Sequence, residues 1–167
     1  MLKIPVWITS TTLLLSTAGA LTIPRGQEDL SVDNVEATDL KGKAFRGTAL
    51  RGKVVLADFW ASWCTPCVKA FPVLKQVNAD YKDQGFQVLG IAVYSGTIED
   101  VEKVVDKHGL DYTVVIGDED LIETFGVIGV PTYFLFGRDG HLARKYVGQS
   151  KDFHERVQAH IRELLEK

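Results

Sequence analysis

Cysteine is nearly absent from this chain: two occur among 167 residues, and both fall inside one four-residue stretch, Cys64-Thr65-Pro66-Cys67. A multi-bridge framework of the kind that staples small secreted domains is thereby excluded. An excess of charge of one sign is also lacking, since 19 basic residues meet 22 acidic ones for a formal net charge of −3. That mildly acidic balance argues against nucleic acid as a partner. Past the N-terminal region no apolar run is long enough to cross a bilayer, and there is no internal repeat or low-complexity tract. What remains, 46% hydrophobic and 25% charged residues, is the composition of one ordinary globular domain with enough chain to bury a core.

The N-terminal residues stand apart. Lys3 precedes a mostly apolar segment from Ile4 to Leu15, and the small-residue pattern Ala18-Gly19-Ala20 follows, which reads as a secretory signal cut after Ala20. An uncleaved anchor is the second reading, because the apolar stretch extends to Leu21, although its six Ser and Thr residues between Thr9 and Thr17 make it weakly hydrophobic for a span. No cysteine lies there, so lipid attachment at the cleavage site is excluded. Removing residues 1–20 takes away Lys3 and leaves 18 basic against 22 acidic residues. Residues 21–34, polar and carrying Pro24 and Gly26, are expected to form a leader, with one domain over 35–167.

Within that domain the pattern alternates. Val35–Leu40 and Lys43–Phe45 suggest a hairpin across Lys41-Gly42, and the run 54–60 is a strand. Cys67, Phe71, Leu74, Val77 and Tyr81 then recur at steps of three and four, a helix with Pro72 inside it that Gly85 ends. Gln87–Tyr94 is a second buried strand, reached by a right-handed parallel crossover. Thr97 to Asp100 is a capping-box start for a helix that stops at Gly109. A strand over Tyr112–Ile116, a short helix over Asp118–Phe125, a strand over Thr132–Phe136, an Asp-Gly hairpin into Leu142–Val147 and a helix from Ser150 complete the order. The economical packing is α/β: a mixed central sheet with helices on both faces.

The cysteine pair sits where a strand hands over to a helix. A thiolate is the attacking species in disulfide exchange, and a helix N-terminus lowers a cysteine pKa toward about 3.5 to 7.5. The roles that follow are Cys64 as an exposed nucleophile and Cys67, one turn on, as the buried resolving thiol, the two closing a reversible Cys64–Cys67 disulfide. A structural staple is the plain alternative for a generic pair, but so short a loop removes little chain entropy. Thr65 and Pro66, between the sulfurs, are expected to tune the reduction potential. Asp58 is the odd residue of an apolar strand, on the side of Leu56 and Trp60. Burial raises its pKa and makes it a candidate proton acceptor for Cys67, against the alternative of a polar strand end touching solvent. Trp60 reads as core, and Trp63 as core or as an apolar contact for a partner. In Gly126-Val127-Ile128-Gly129-Val130-Pro131-Thr132, a cis bond before Pro131 would leave the backbone of Val130 free to pair with an extended substrate.

The stretch from Leu56 to Cys67, the later Gly-Val-Ile-Gly-Val-Pro-Thr run and Lys107-His108-Gly109-Leu110 together resemble the thioredoxin superfamily, most closely the TlpA/ResA/CcmG-like exported thiol-disulfide oxidoreductases. The resemblance covers about residues 35 to 165. It implies the thioredoxin fold, Cys64 as nucleophile, Cys67 as resolving thiol and Pro131 as the cis proline. It also implies a reducing role in the bacterial periplasm, with electrons from a membrane thiol donor passed to oxidised protein partners such as apocytochrome c or copper-site assembly proteins, and no cofactor. The chain departs from many such proteins at Ala70, where they carry glutamate, and at Asp58, where they carry asparagine.

A function of another class, copper binding or delivery by the two thiols, is the competing expectation. Two sulfurs leave a metal short of ligands, and His108, His141, His154 and His160 show no ligand spacing around the cysteines, so no metal site is expected.

Overall fold

The computed structural model describes residues 30–167; the expected signal or anchor over 1–20 and the leader up to residue 29 lie outside the described residues. Among the described residues seven strands form one sheet: β1 (Glu36–Asp39), β2 (Ala44–Arg46), β3 (Val54–Trp60), β4 (Phe86–Ala92), β5 (Thr113–Ile116), β6 (Thr132–Phe136) and β7 (Leu142–Val147). The same described residues form four α-helices: α1 (Thr65–Tyr81), α2 (Ile98–His108), α3 (Glu119–Phe125) and α4 (Phe153–Leu165). The strand order is β2-β1-β5-β4-β3-β6-β7. β3, β4 and β5 are parallel, while β6 runs antiparallel to β3, β7 to β6, and β1 to both β2 and β5. The architecture is the mixed α/β sandwich of helices around a sheet that the element order predicts.

β3 is the centre of the molecule. All seven of its residues are buried, because helices cover both faces, and a strand in that position reads as a continuous apolar run. Its alternation sorts the core into two layers. Val54, Leu56 and Trp60 pack with Cys67, Phe71, Leu74 and Val77 of α1 and with Phe153, Val157 and Ile161 of α4. Val55, Ala57 and Phe59 face the other way, onto Leu121 and Phe125 of α3. Helix α1 runs unbroken through Pro72, and its buried Asn78 accepts the backbone N–H of Val88 through Oδ1 at 2.9 Å, tying the helix to β4.

Several boundaries differ from expectation. β4 stops at Ala92: the Val93 N–H makes the last bond to β3, to Trp60 O at 2.9 Å, and Tyr94 then turns to φ 52°, out of the sheet. The last helix begins at Phe153: Ser150 hydrogen-bonds the Asp152 carboxylate and accepts the Phe153 N–H on its carbonyl, which forms a turn ahead of the helix. Tyr112 precedes β5 instead of opening it. Residues 30–34, expected in the leader, pack on the domain: Leu30 and Val32 are buried, Val32 donates to Gly140 O at 2.8 Å, and Leu142 donates to Leu30 O at 2.9 Å. Among the described residues no helix is long and apolar enough to cross a membrane.

Candidate active site

The parallel crossover from β3 through α1 to β4 sets the site. After Trp60 the chain makes one tight turn, with Cys64 N–H donating to Ala61 O at 3.0 Å and Ser62 N–H to Ser95 Oγ at 2.9 Å. Cys64 is the N-cap of α1, and its Sγ accepts the Cys67 N–H at 3.2 Å. The sulfur therefore takes the place of the usual capping oxygen, facing the positive end of a 17-residue helix. Pro66 lies in the first turn, where its missing N–H leaves no intrahelical bond unmade. Cys64 and Cys67 are joined by a disulfide with an S–S distance of 2.03 Å and Cα atoms 5.3 Å apart.

Cys64 was expected to be exposed, yet the residue is only 4% exposed, and Cys67 is fully buried. Capping by the sulfur draws it down onto the helix end, and the neighbouring side chain takes the solvent instead: Trp63 is 66% exposed. Its indole N–H donates to Tyr94 O at 3.0 Å, which anchors the ring beside the disulfide. Thr65 and Pro66 are exposed as well. Trp60 is core, edge-on to Phe71 with ring centroids 5.1 Å apart.

Asp58 is fully buried on the β3 face that packs under α1, and neither carboxyl oxygen has a hydrogen-bond partner among the described residues. Burial alone pushes its pKa well above the ordinary carboxylate value. Across the sheet it faces Gly90 of β4 and Tyr133 of β6. The Tyr112 and Tyr133 hydroxyls are held far up the pH scale, chiefly by burial and then by the Asp58 charge.

The second loop arrives at the same end of the sheet, because the β3–β6 ladder ends at Phe59 opposite Thr132, and Pro131 comes next. The Val130–Pro131 peptide is cis. Pro131 is buried and its carbonyl accepts the Gly148 N–H at 2.8 Å; Val130 is half-buried, and among the described residues its backbone has no hydrogen-bond partner. Thr132 holds the loop through a 2.6 Å bond from Oγ1 to Gly129 O. Sequence reasoning missed two members of this rim, Ile128 at 96% exposed and Tyr94 at 60%. An apolar pair, Val127-Ile128, bracketed by Gly126 and Gly129 was the available signal for the first; Tyr94 was hidden inside an expected strand.

Of the four histidines, His108 packs against Phe71, and His160 bonds through Nδ1 to Tyr146 OH at 2.7 Å. Among the described residues no three His, Cys, Asp or Glu side chains are placed to share a metal ion.

A buried sulfur pair at a helix cap, next to a cis-proline loop, can exchange disulfides, and the comparisons agree. The Redoxin family model matches residues 22–160. The chain belongs to the Redoxin family. It is 31% identical over 146 residues to thiol-disulfide oxidoreductase ResA of Bacillus cereus, covering 82% of this chain and 84% of that one. It is 29% identical to the ResA of Bacillus anthracis, with 91% of each chain covered. Among solved structures, a candidate thiol:disulfide interchange protein DsbE from Chlorobium tepidum superposes with TM-score 0.75 at 29% identity, over 86% of this chain and 99% of that one. This redoxin therefore has the thioredoxin fold and groups with the TlpA/ResA/CcmG-like proteins, and it is a thiol-disulfide oxidoreductase.

Proposed function

We propose that the protein is exported and reduces disulfides in protein partners, with Cys64 as nucleophile and Cys67 as resolving thiol. The observation that carries this reading is the Cys64 sulfur capping α1 while Cys67 lies buried behind it. In the reduced protein the helix end favours a thiolate at Cys64. That thiolate attacks one sulfur of a partner disulfide, forming a mixed disulfide and releasing the partner's other sulfur as a thiolate, which takes a proton from water. Asp58 then accepts the proton of Cys67, the Cys67 thiolate attacks Cys64, and the Cys64–Cys67 disulfide forms as the partner's second thiol leaves. Two electrons pass to the partner, and a thiol donor at the membrane restores the pair.

Trp63 and the loop around Val130 and Pro131 supply the docking surface. The unpaired backbone of Val130 suits an extended segment of the partner, and the exposed rings and Ile128 suit apolar residues around its cysteine. Thr65 and Pro66 tune the couple, for which about 30 mV corresponds to about 1.4 kcal/mol. The kinship with ResA-type proteins supports export through the N-terminal segment, to the periplasm or tethered at the membrane, and partners such as apocytochrome c or copper-site assembly proteins. Insulin reduction by the mature protein, abolished in Cys64→Ser, tests the activity, and the Cys64/Cys67 reduction potential tests its direction. A potential in the range of strong oxidants would overturn the reducing role.

A further inference from the structure

Six buried side-chain polar atoms lack a hydrogen-bond partner among the described residues, and five of them meet at one place: both carboxyl oxygens of Asp58, the indole nitrogen of Trp60, and the hydroxyls of Tyr112 and Tyr133. The sheet brings them together. Tyr133 is directly opposite Asp58 on the antiparallel partner β6, so the two side chains share a face. Gly90 is opposite Asp58 on β4, and its missing side chain makes room for two rings: a Cβ there would lie 3.1 Å from Trp60 Nε1 and 3.2 Å from Tyr112 Cε2. Buried polar groups are almost always partnered, and a roomy polar site buries water to do it.

Among the described residues no cation pairs with Asp58, and it is burial that raises its pKa. The titratable groups around it are Tyr112 ahead of β5, Tyr133 of β6 and the two cysteines of α1. Further out lie Asp111 beside Tyr112, His108 against Phe71, Tyr146 of β7, and His154 next to Phe153, whose ring sits 4.4 Å from that of Tyr133.

We propose that Tyr112 and Tyr133 are positioning residues for Asp58: their hydroxyls, linked to the carboxyl through buried water, orient it and set how readily it takes the proton of Cys67. This rests on the reading of Asp58 as proton acceptor. A carboxylate in an apolar core is costly, and O–H donors aimed at it reduce that cost. Both phenols stay protonated across the working pH range, so they remain donors throughout. When Cys67 gives its proton to Asp58, the charge leaves the carboxylate for the sulfur, and the Cys67 thiolate then displaces the partner sulfur from Cys64.

The test follows single-turnover oxidation of the reduced protein by glutathione disulfide across pH, reading release of the second glutathione, alongside a 13C NMR titration of the Asp58 carboxyl. In Tyr112→Phe and Tyr133→Phe both the carboxyl titration and the kinetic midpoint are expected to move to higher pH, on the order of half a unit for each hydroxyl. Below the midpoint the resolving step slows roughly threefold per half unit. The substitution removes one unpartnered oxygen from each ring, so a merely structural role would leave the titration in place. An unshifted Asp58 titration in both variants overturns the proposal while leaving Asp58 as acceptor. A pH profile that is the same in wild type and Asp58→Asn overturns the acceptor role, and the proposal with it.

Discussion

The indole N–H of Trp63 donates to the carbonyl of Tyr94, 3.0 Å away, and so joins the turn before Cys64 to the residue at which the chain leaves β4. Tyr94 adopts φ 52°, a left-handed conformation uncommon for a tyrosine, and this aims its carbonyl at the indole. The largest exposed ring beside the disulfide is thus held in one orientation by the backbone of a neighbouring loop.

Trp63→Phe keeps an apolar ring and removes that bond. The expected result is a fall of about fivefold in kcat/KM toward insulin, the worth of one hydrogen bond, with the rate toward glutathione disulfide unchanged. Steady-state assays with the two substrates check it.

Asp58 should make the folded protein less stable as pH rises. Burial raises its folded pKa above the unfolded value, so the native state binds the proton more tightly. Stability is highest below the unfolded carboxylate pKa and falls as pH climbs from there through the raised folded value. Asp58→Asn is expected to flatten this slope and to be the more stable protein at neutral pH. Denaturant titrations of the oxidised protein between acid and neutral pH measure both effects.

Asn78 accepts the buried Val88 N–H, and Asn78→Leu leaves that donor unpaired. A loss of about 1–3 kcal/mol is expected in urea unfolding, with the reduction potential unaltered.

Thr97 and Asp100 cap α2 reciprocally: Asp100 N–H donates to Thr97 Oγ1 at 3.3 Å, and Thr97 N–H donates to the Asp100 carboxylate at 3.1 Å. Thr97→Ala should cost about 1 kcal/mol, seen by calorimetry as a drop in Tm of about 2–5 °C.

The elements most legible in the sequence were those whose neighbours in the chain are also their neighbours in space. Strand 54–60, the stripe from Cys67 to Tyr81 and the capping box at Thr97 all carry local periodicity or a local hydrogen bond, and the structure keeps them. Tyr94 was not legible, because the point where it leaves the sheet is set by where β4 runs out of partner on β3, at Trp60, more than thirty residues away. Tyr112 and Tyr133 escaped notice for the same reason: the β3–β6 register brings Tyr133 to Asp58, and the β3–β4 and β4–β5 registers together bring Tyr112. The burial of Cys64 follows from its sulfur serving as the cap, which a residue pattern alone does not distinguish from a side chain turned to solvent.

The bonds that clasp Leu30 and Val32 to the turn between β6 and β7 lie at the opposite pole from the disulfide, since β6 starts at the reactive loop and runs away from it. The polypeptide thus enters the domain from the rear. Any mooring upstream of Leu30 would grip the molecule by its back and leave the sulfur-bearing end pointing outward, free to meet a client approaching from the open side.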